Sequence, residues 1–121
     1  SETILAKAAG DPASATSGNP IIFPTISFDT HGAYNSTTGR YACPISGFYR
    51  VSGAIDSANA GVRLSIFKNA VSDTIAGATD TNGEGIFSGV ISCLAGDLLD
   101  IRPNNTIDAT AGSNINFERI K

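Results

Sequence analysis

Apolar and β-branched residues occur in short runs along most of the chain, and turn residues such as Gly, Pro and Asn separate these runs. From Ile21 onward the turns recur about every 8–12 positions, which is typical of an all-β sandwich or barrel. No stretch long enough for a stable helix carries the apolar repeat of a helix. We therefore predict strands at Ile21–Phe28, Arg40–Cys43, Phe48–Ser57, Gly61–Lys68, Thr74–Ala78, Gly85–Leu94, Leu98–Arg102 and Ile115–Lys121.

Residues 1–20 differ in composition from the rest of the chain. They are rich in Ala, Ser, Thr, Gly and Asp, are interrupted by Pro12 and Pro20, and contain only Ile4 and Leu5 as large apolar side chains. This pattern predicts a connecting segment, with a short edge strand over Thr3–Ala8. The folded domain is then expected to span residues 21–121.

Alternation within the strands indicates which side chains face a core, because successive side chains of a strand point to opposite faces. The strand Gly85–Leu94 is apolar on both faces, since Phe87 and Ile91 alternate with Ile86 and Val90. Such a strand needs cover on both sides, and in a domain of this size a second subunit is the expected source. The predicted inner core consists of Tyr41, Tyr49, Val51, Ile55, Phe87, Ile91 and Phe117.

Composition narrows the functional classes without naming one. The chain has 121 residues, of which 41% are hydrophobic and 16% are charged, and this balance argues against disorder and for one domain. A net charge of −3 without clustered Lys or Arg argues against nucleic-acid binding. No apolar run approaches the ~20 residues of a membrane-spanning helix, so no membrane insertion is expected.

Four segments resemble the jelly roll shared by C1q and tumour necrosis factor. They are Phe28–Asn35, Thr38–Ser52 with its Thr-Gly-x-aromatic-x-Cys-Pro-x-x-Gly-x-Tyr motif, Val90–Asp97 with its Gly-Asp turn, and the closing strand Asn116–Ile120. The sequence is most similar to versions at the C-terminal tips of bacteriophage tail fibres and tail needles. The resemblance implies an all-β, C1q/TNF-like jelly-roll β-sandwich that forms a homotrimer.

The resemblance also implies where the subunits meet, because the family trimerises about a threefold axis through the outer face of one sheet. The implied interface residues are Phe48, Arg50, Ser52, Ile86, Val90, Asn116, Glu118 and Ile120. Arg50 and Glu118 are then candidates for an ion pair between subunits or for an anion site on the axis. The alternative is that both are solvated rim residues that contribute little to stability.

The candidate chemical groups point away from catalysis. Cys43 and Cys93 could form one disulfide, but their inward strand positions favour two buried reduced thiols. His31 lies in a predicted turn and is expected to play a structural role, because catalysis would need a cysteine and an orienting group beside it. Asp80–Gly85 lacks the ligand pattern of a calcium loop and is better explained as a hairpin tip. We expect no metal, no cofactor and no enzymatic activity.

The sequence therefore predicts a non-enzymatic, homotrimeric head domain of a bacteriophage tail fibre or tail needle. It would be located at the tail tip of the virion after assembly in the bacterial cytoplasm. Its partner would be a bacterial surface receptor such as lipopolysaccharide or an outer-membrane protein, contacted by the loops Asp56–Gly61, Thr79–Glu84 and Asn104–Ser113. The alternatives are a purely structural trimerisation cap and a secreted C1q-like module that binds carbohydrate or protein.

Overall fold

A computed structural model describes residues 3–110 and 112–121 of the chain. The described residues form ten strands and no helix, which confirms the all-β prediction. The strands are β1 Leu5–Gly10, β2 Thr25–Asp29, β3 Tyr34–Asn35, β4 Arg40–Ala42, β5 Gly47–Asp56, β6 Arg63–Lys68, β7 Val71–Ala78, β8 Glu84–Cys93, β9 Leu98–Pro103 and β10 Ser113–Arg119.

The strands are arranged as a jelly-roll sandwich of two sheets. Hydrogen bonding follows the order β2-β1-β10-β5-β8-β7-β6-β9-β4-β3. Between β7 and β8 the ladder is reduced to the single pair Gly77 and Phe87. The chain therefore folds over at this seam into two five-stranded layers. We call β2, β1, β10, β5 and β8 the front sheet, and β7, β6, β9, β4 and β3 the back sheet.

The core lies between the two sheets and is built around aromatic rings from both. Tyr41 of the back sheet stacks on Phe117 of the front sheet, with ring centroids 4.4 Å apart. The ring of Tyr49 lies 6.2 Å from that of Tyr41, at an inclined angle. All seven residues that alternation assigned to the inner core are buried, and this part of the prediction is confirmed.

The N-terminal segment takes a larger part in the sandwich than its composition suggests. Strand β1 pairs with β10 on one side and with β2 on the other. The predicted strand therefore exists, but its predicted position at the edge of the sheet is wrong. Ile4, Ala6 and Ala8 are buried in the core. The alternation of large apolar residues does not reveal how deeply this strand is buried, because its inward-facing residues are small alanines.

The predicted strand Ile21–Phe28 is also corrected, since regular pairing begins only at Thr25. Ile21 and Phe23 are fully buried, but they belong to an irregular segment flanked by prolines that cannot donate to a ladder. The amide of Phe23 donates a hydrogen bond of 3.0 Å to the Tyr34 hydroxyl instead. Burial raises the pKa of Tyr34 to about 12, so this hydroxyl stays protonated.

Candidate functional site

The outer face of the front sheet brings together the eight residues that the sequence singled out. Strand register places Arg50 of β5 between Glu118 of β10 and Val90 of β8. One step along, Ser52 pairs with Asn116. We call the surface formed by Phe48, Arg50, Ser52, Ile86, Val90, Asn116, Glu118 and Ile120 the front face.

Large apolar side chains on the front face are in contact with solvent in the single chain. Ile86 is 78% exposed, Val90 48%, Phe48 46% and Ile120 42%. Their neighbours on the same strands, such as Phe87 and Ile91, are buried in the core. One face of β8 therefore packs inside the sandwich, while its other apolar face remains uncovered.

Three further exposed apolar residues on or next to the front sheet, Leu94, Phe28 and Ile26, were not assigned to the interface from the sequence. Leu94 is 70% exposed and continues the alternation of Ile86 and Val90 beyond the end of β8. Phe28 is 48% exposed on β2, where it pairs with Lys7. Alternation places Leu94 on the same face as Ile86 and Val90, although the interface implied by the resemblance did not include it. The placement of Phe28 depends on strand order, which no local pattern reveals.

Arg50 and Glu118 form their ion pair within one chain. Their register on β5 and β10 sets the Arg50 Nη1 atom 3.2 Å from the Glu118 Oε1 atom. The two groups therefore pair with each other within one chain, while an ion pair between subunits or an anion site on the axis stays a prediction. Both side chains are about half exposed, and such pairs contribute only ~0.2–1 kcal/mol.

The back sheet carries a buried cluster of charges that the sequence did not single out. The Asp100 carboxylate is fully buried and accepts hydrogen bonds from Arg102, at 2.7 Å from Nε and 3.0 Å from Nη2. Arg40 approaches the same carboxylate at 3.6 Å. The third nitrogen of Arg102 donates to the Gly18 carbonyl, and its guanidinium lies 4.7 Å from the centre of the Phe67 ring.

The three loops predicted to contact a receptor meet at one end of the sandwich, which we call the loop end. The amide of Ser57 donates to Gly83 at 3.0 Å, and the amide of Gly61 donates to Thr79 at 3.0 Å. The Asn59 side chain accepts a hydrogen bond of 2.7 Å from the Asp108 amide. Backbone and side-chain hydrogen bonds therefore join all three loops into one surface.

Comparison with known proteins agrees with this architecture. The family model described as the C1q domain matches residues 5–97, well over half of the chain. The chain belongs to the C1q domain family. This C1q domain is similar in structure to the globular domain of zebrafish complement 1qA, with a TM-score of 0.81 and 16% identity over 99% of this chain and 98% of that one.

Two further solved structures are also similar in fold to this C1q domain. Eiger TNF from S. frugiperda aligns with a TM-score of 0.71 at 14% identity, covering 100% of this chain and 94% of that one. Murine APRIL aligns with a TM-score of 0.73 at 9% identity, covering 98% of this chain and 100% of that one. At such identities the likeness establishes the fold and nothing narrower.

The two cysteines of this C1q domain are free and buried, as predicted. Their thiols also interact with each other, which the sequence did not show. The pKa of Cys43 is raised because its thiol hydrogen-bonds to Cys93 and because it is buried. The same hydrogen bond lowers the pKa of Cys93, with Lys68 adding a weaker effect in the same direction.

The remaining candidate groups are engaged in turns. The Asp80 carboxylate accepts hydrogen bonds from the amides of Asn82, at 2.8 Å, and Glu84, at 3.0 Å, as a hairpin tip requires. His31 lies in the turn after β2, where its Nδ1 atom is 2.7 Å from the Thr30 hydroxyl. Within residues 3–110 and 112–121, no three metal-ligating side chains converge, and no helix could span a membrane.

Proposed function

We propose that this C1q domain is the homotrimeric head of a bacteriophage tail fibre or tail needle, with the front face as its subunit interface. The main support for a trimer is the row of large apolar side chains that remain exposed on an otherwise well-packed sandwich. Contiguous exposed apolar surface rimmed by polar residues is typical of protein interfaces. The family resemblance supplies the threefold arrangement.

The polar residues of the front face are compatible with burial between subunits. Arg50 and Glu118 neutralise each other within one chain, so an approaching subunit would cover a closed pair rather than a lone charge. An unpaired charge at the same place would oppose assembly by several kcal/mol. Ser52 and Asn116 add hydrogen-bonding groups on adjacent strands.

The loop end supports a role in host-surface recognition. Strand β1 begins beside the end of β10, with Leu5 paired to Glu118, while the three joined loops lie at the opposite end of these strands. A fibre segment joined ahead of β1 would therefore leave the loops pointing away from the fibre. We propose that they contact lipopolysaccharide or an outer-membrane protein, on a virion whose tail was assembled in the bacterial cytoplasm.

Light scattering of the isolated domain tests the trimer. The expected result is a particle of three times the chain mass of 12.4 kDa that persists at micromolar concentration. A particle of one chain mass at that concentration would refute the proposed assembly. Repeating the measurement in high salt should leave the trimer intact, because apolar contact is less sensitive to screening than charge attraction.

Binding to bacteria tests the recognition role separately. The labelled trimer should bind cells of a susceptible host and purified lipopolysaccharide or outer-membrane protein from that host. Bulky substitutions at Ala58 and Ala60, two exposed positions of the loop end, should weaken binding without changing particle mass. An intact trimer that binds none of these surfaces would instead favour the purely structural trimerisation cap.

A secreted C1q-like binding module is the second candidate, because the C1q family match is equally compatible with it. The sequence of the parent polypeptide ahead of Ser1 separates the two. Coiled-coil heptads or β-helical fibre repeats would support the tail fibre, whereas collagen-like Gly-X-Y repeats would support the secreted module.

A further inference from the structure

A small cavity opens on the outer face of the back sheet, away from the front face. It has a volume of about 230 Å³, below the ~300–1,000 Å³ of pockets for drug-sized ligands. Its walls come from β6, β7, β9 and the turn that contains Ser17. We call it the back-face cavity, and its lining residues are Ser17, Gly18, Arg63, Ser65, Phe67, Ser72, Arg102, Pro103 and Asn104.

The back-face cavity contains hydrogen-bond donors that are not used within the described chain. Ser65 is buried to all but 8% of its surface, yet its hydroxyl makes no hydrogen bond to residues 3–110 or 112–121. Among the described residues only the Tyr41 hydroxyl is a fully buried side-chain polar atom without a partner, so the Ser65 hydroxyl keeps contact with solvent and is available to a ligand in the cavity. The side chains of Arg63 and Ser72 likewise have no polar partner among those residues.

Asn104 adds another donor at the rim. Its side-chain oxygen accepts a hydrogen bond of 2.8 Å from the Arg63 amide, which directs the oxygen toward the protein. The amide nitrogen of that side chain makes no hydrogen bond to the described residues, and Asn104 is one of the residues that line the cavity. Guanidinium, hydroxyl and amide donors therefore surround one small space.

The electrostatics of the cavity favour an anion. No acidic residue lines the cavity among the described residues, and the nearby Asp100 is already bound by Arg102 and lies near Arg40, so Asp100, Arg102 and Arg40 together carry one positive charge. Arg63 adds a second positive charge that no carboxylate within ion-pair distance offsets in the described chain. This concentration of positive charge stands out on a chain whose net charge is −3.

We propose that the back-face cavity binds one anionic sugar unit. Arg63 holds the carboxylate or phosphate, because a guanidinium offers paired donors that match these groups. Ser65, Ser72 and Asn104 bind the sugar hydroxyls. Arg102, fixed by Asp100 and the Gly18 carbonyl, forms the rigid floor of the site and adds to its positive potential.

The location of the cavity fits recognition by an assembled trimer. The front face lies on the opposite sheet, so subunit contact there leaves the cavity open. Arg63 and Asn104 also lie at the ends of β6 and β9 nearest the loop end. The biological role of this binding rests on the proposed function, because acidic sugars and sugar phosphates are constituents of bacterial surface polysaccharides.

Nuclear magnetic resonance titration of the ¹⁵N-labelled protein tests the site. The probes are glucuronate, glucose 6-phosphate, uncharged glucose and inorganic phosphate. Glucuronate or glucose 6-phosphate should shift the signals of Ser65 and Arg63 with a Kd of about 1 mM, and the stronger of the two identifies the anion. Glucose and inorganic phosphate should each bind at least about tenfold more weakly, because each lacks half of the recognised group.

Substitutions assign the binding to the cavity. Arg63→Gln should weaken binding at least about tenfold and Ser65→Ala about threefold, since a charged hydrogen bond contributes more than a neutral one. Lys121→Gln removes one positive charge elsewhere and should leave the Kd unchanged. The proposal is overturned if neither anionic sugar binds at about 20 mM, if glucose or phosphate binds equally well, or if Arg63→Gln has no effect.

Light scattering on the same samples separates this inference from the proposed function. Loss of sugar binding with a normal trimer and normal binding to bacteria refutes the cavity alone. A single-chain particle that still binds the anionic sugar refutes the trimer and leaves the cavity site standing.

Discussion

The front face exposes large apolar side chains on or next to three neighbouring strands, whereas the back sheet exposes Val71 and Ile75 on β7 alone and encloses charged side chains on its outer face. Val90 and Ile86 are in contact with solvent on the first, while Asp100 and Arg102 are enclosed on the second. On the back sheet, residues of the same chain complete the enclosure: the Gly18 carbonyl, the Phe67 ring and Arg40 surround the ion pair. No residue within 3–110 or 112–121 covers the large apolar residues of the front face.

This difference separates surfaces that are covered by residues of the same chain from surfaces that are available to a second copy of the chain. Charges need specific partners at fixed distances, and an intramolecular contact holds those partners most reliably. Apolar surface needs only a complementary shape, so a neighbouring subunit can supply its cover. A face that the chain leaves uncovered is therefore the better indicator of assembly.

The largest effect is expected from a charge placed in the middle of the front face. Val90→Glu should convert the trimer to single chains at micromolar concentration, because assembly would bury an additional carboxylate in every subunit. Val71→Glu is the matched control, since Val71 is 67% exposed but lies on β7 of the back sheet. Light scattering that shows both variants as trimers would remove the front face from the interface.

The buried charges of the back sheet give the next largest effect. Arg102→Met should lower the free energy of unfolding by about 3–5 kcal/mol, because it leaves the Asp100 carboxylate buried with only the more distant Arg40. Arg50→Met removes the arginine of the exposed pair and should cost less than about 1 kcal/mol. Urea denaturation in the Val90→Glu background compares them in single chains. Equal losses would contradict the contrast between the two sheets.

The core between the two faces allows a finer comparison of hydroxyl groups. The Tyr49 hydroxyl donates a hydrogen bond of 2.6 Å to the Ile45 carbonyl, whereas the buried Tyr41 hydroxyl has no hydrogen-bond partner among the described residues. Tyr49→Phe should lower the free energy of unfolding by about 0.5–1.5 kcal/mol. Tyr41→Phe should leave it unchanged or raise it, because a buried, unpartnered polar group is removed. Thermal unfolding that ranks the two in the opposite order would overturn this assignment.

The smallest effect is expected at Asp97, in the turn after β8. Hydrogen bonds from the Asn69 side chain and then from the Leu94 amide lower the pKa of Asp97 below its usual 3.8. Its ionised form therefore stabilises the fold above that value, and this contribution is lost as the pH falls through the lowered pKa. The melting temperature of the protein should decrease in this acid range, and Asp97→Asn should reduce the decrease. An identical pH profile for both proteins would show that the turn does not depend on this charge.

Local patterns predicted much of the fold because alternation reports burial directly. The alternation of β5 and β8 correctly assigned Tyr49, Val51 and Phe87 to the core. It said nothing of the enclosure of Asp100 and Arg102, because that enclosure depends on Gly18, more than eighty residues earlier in the chain. Local sequence cannot reveal contacts that a remote segment makes.

The candidate site was also predicted only in part, because local patterns report which face a residue occupies but not which residues of other strands lie beside it. The eight front-face residues do share one surface, since parity and the family resemblance together selected three neighbouring strands. The direct pairing of Arg50 with Glu118 was missed, because it depends on the register between β5 and β10. The donors of the back-face cavity, such as Ser65, carry no motif and are recognised only because the fold brings them together around one cavity.

The pairing of β1 with β10 also has a kinetic consequence. The first strand of the chain lies between β2 and the last strand, so the front sheet cannot close until residues 113–119 are available. Contacts between residues so far apart in the chain make folding slow. During synthesis, β1 would keep an unpaired edge until β10 leaves the ribosome, and a chain that stops before β10 would leave that edge open to aggregation.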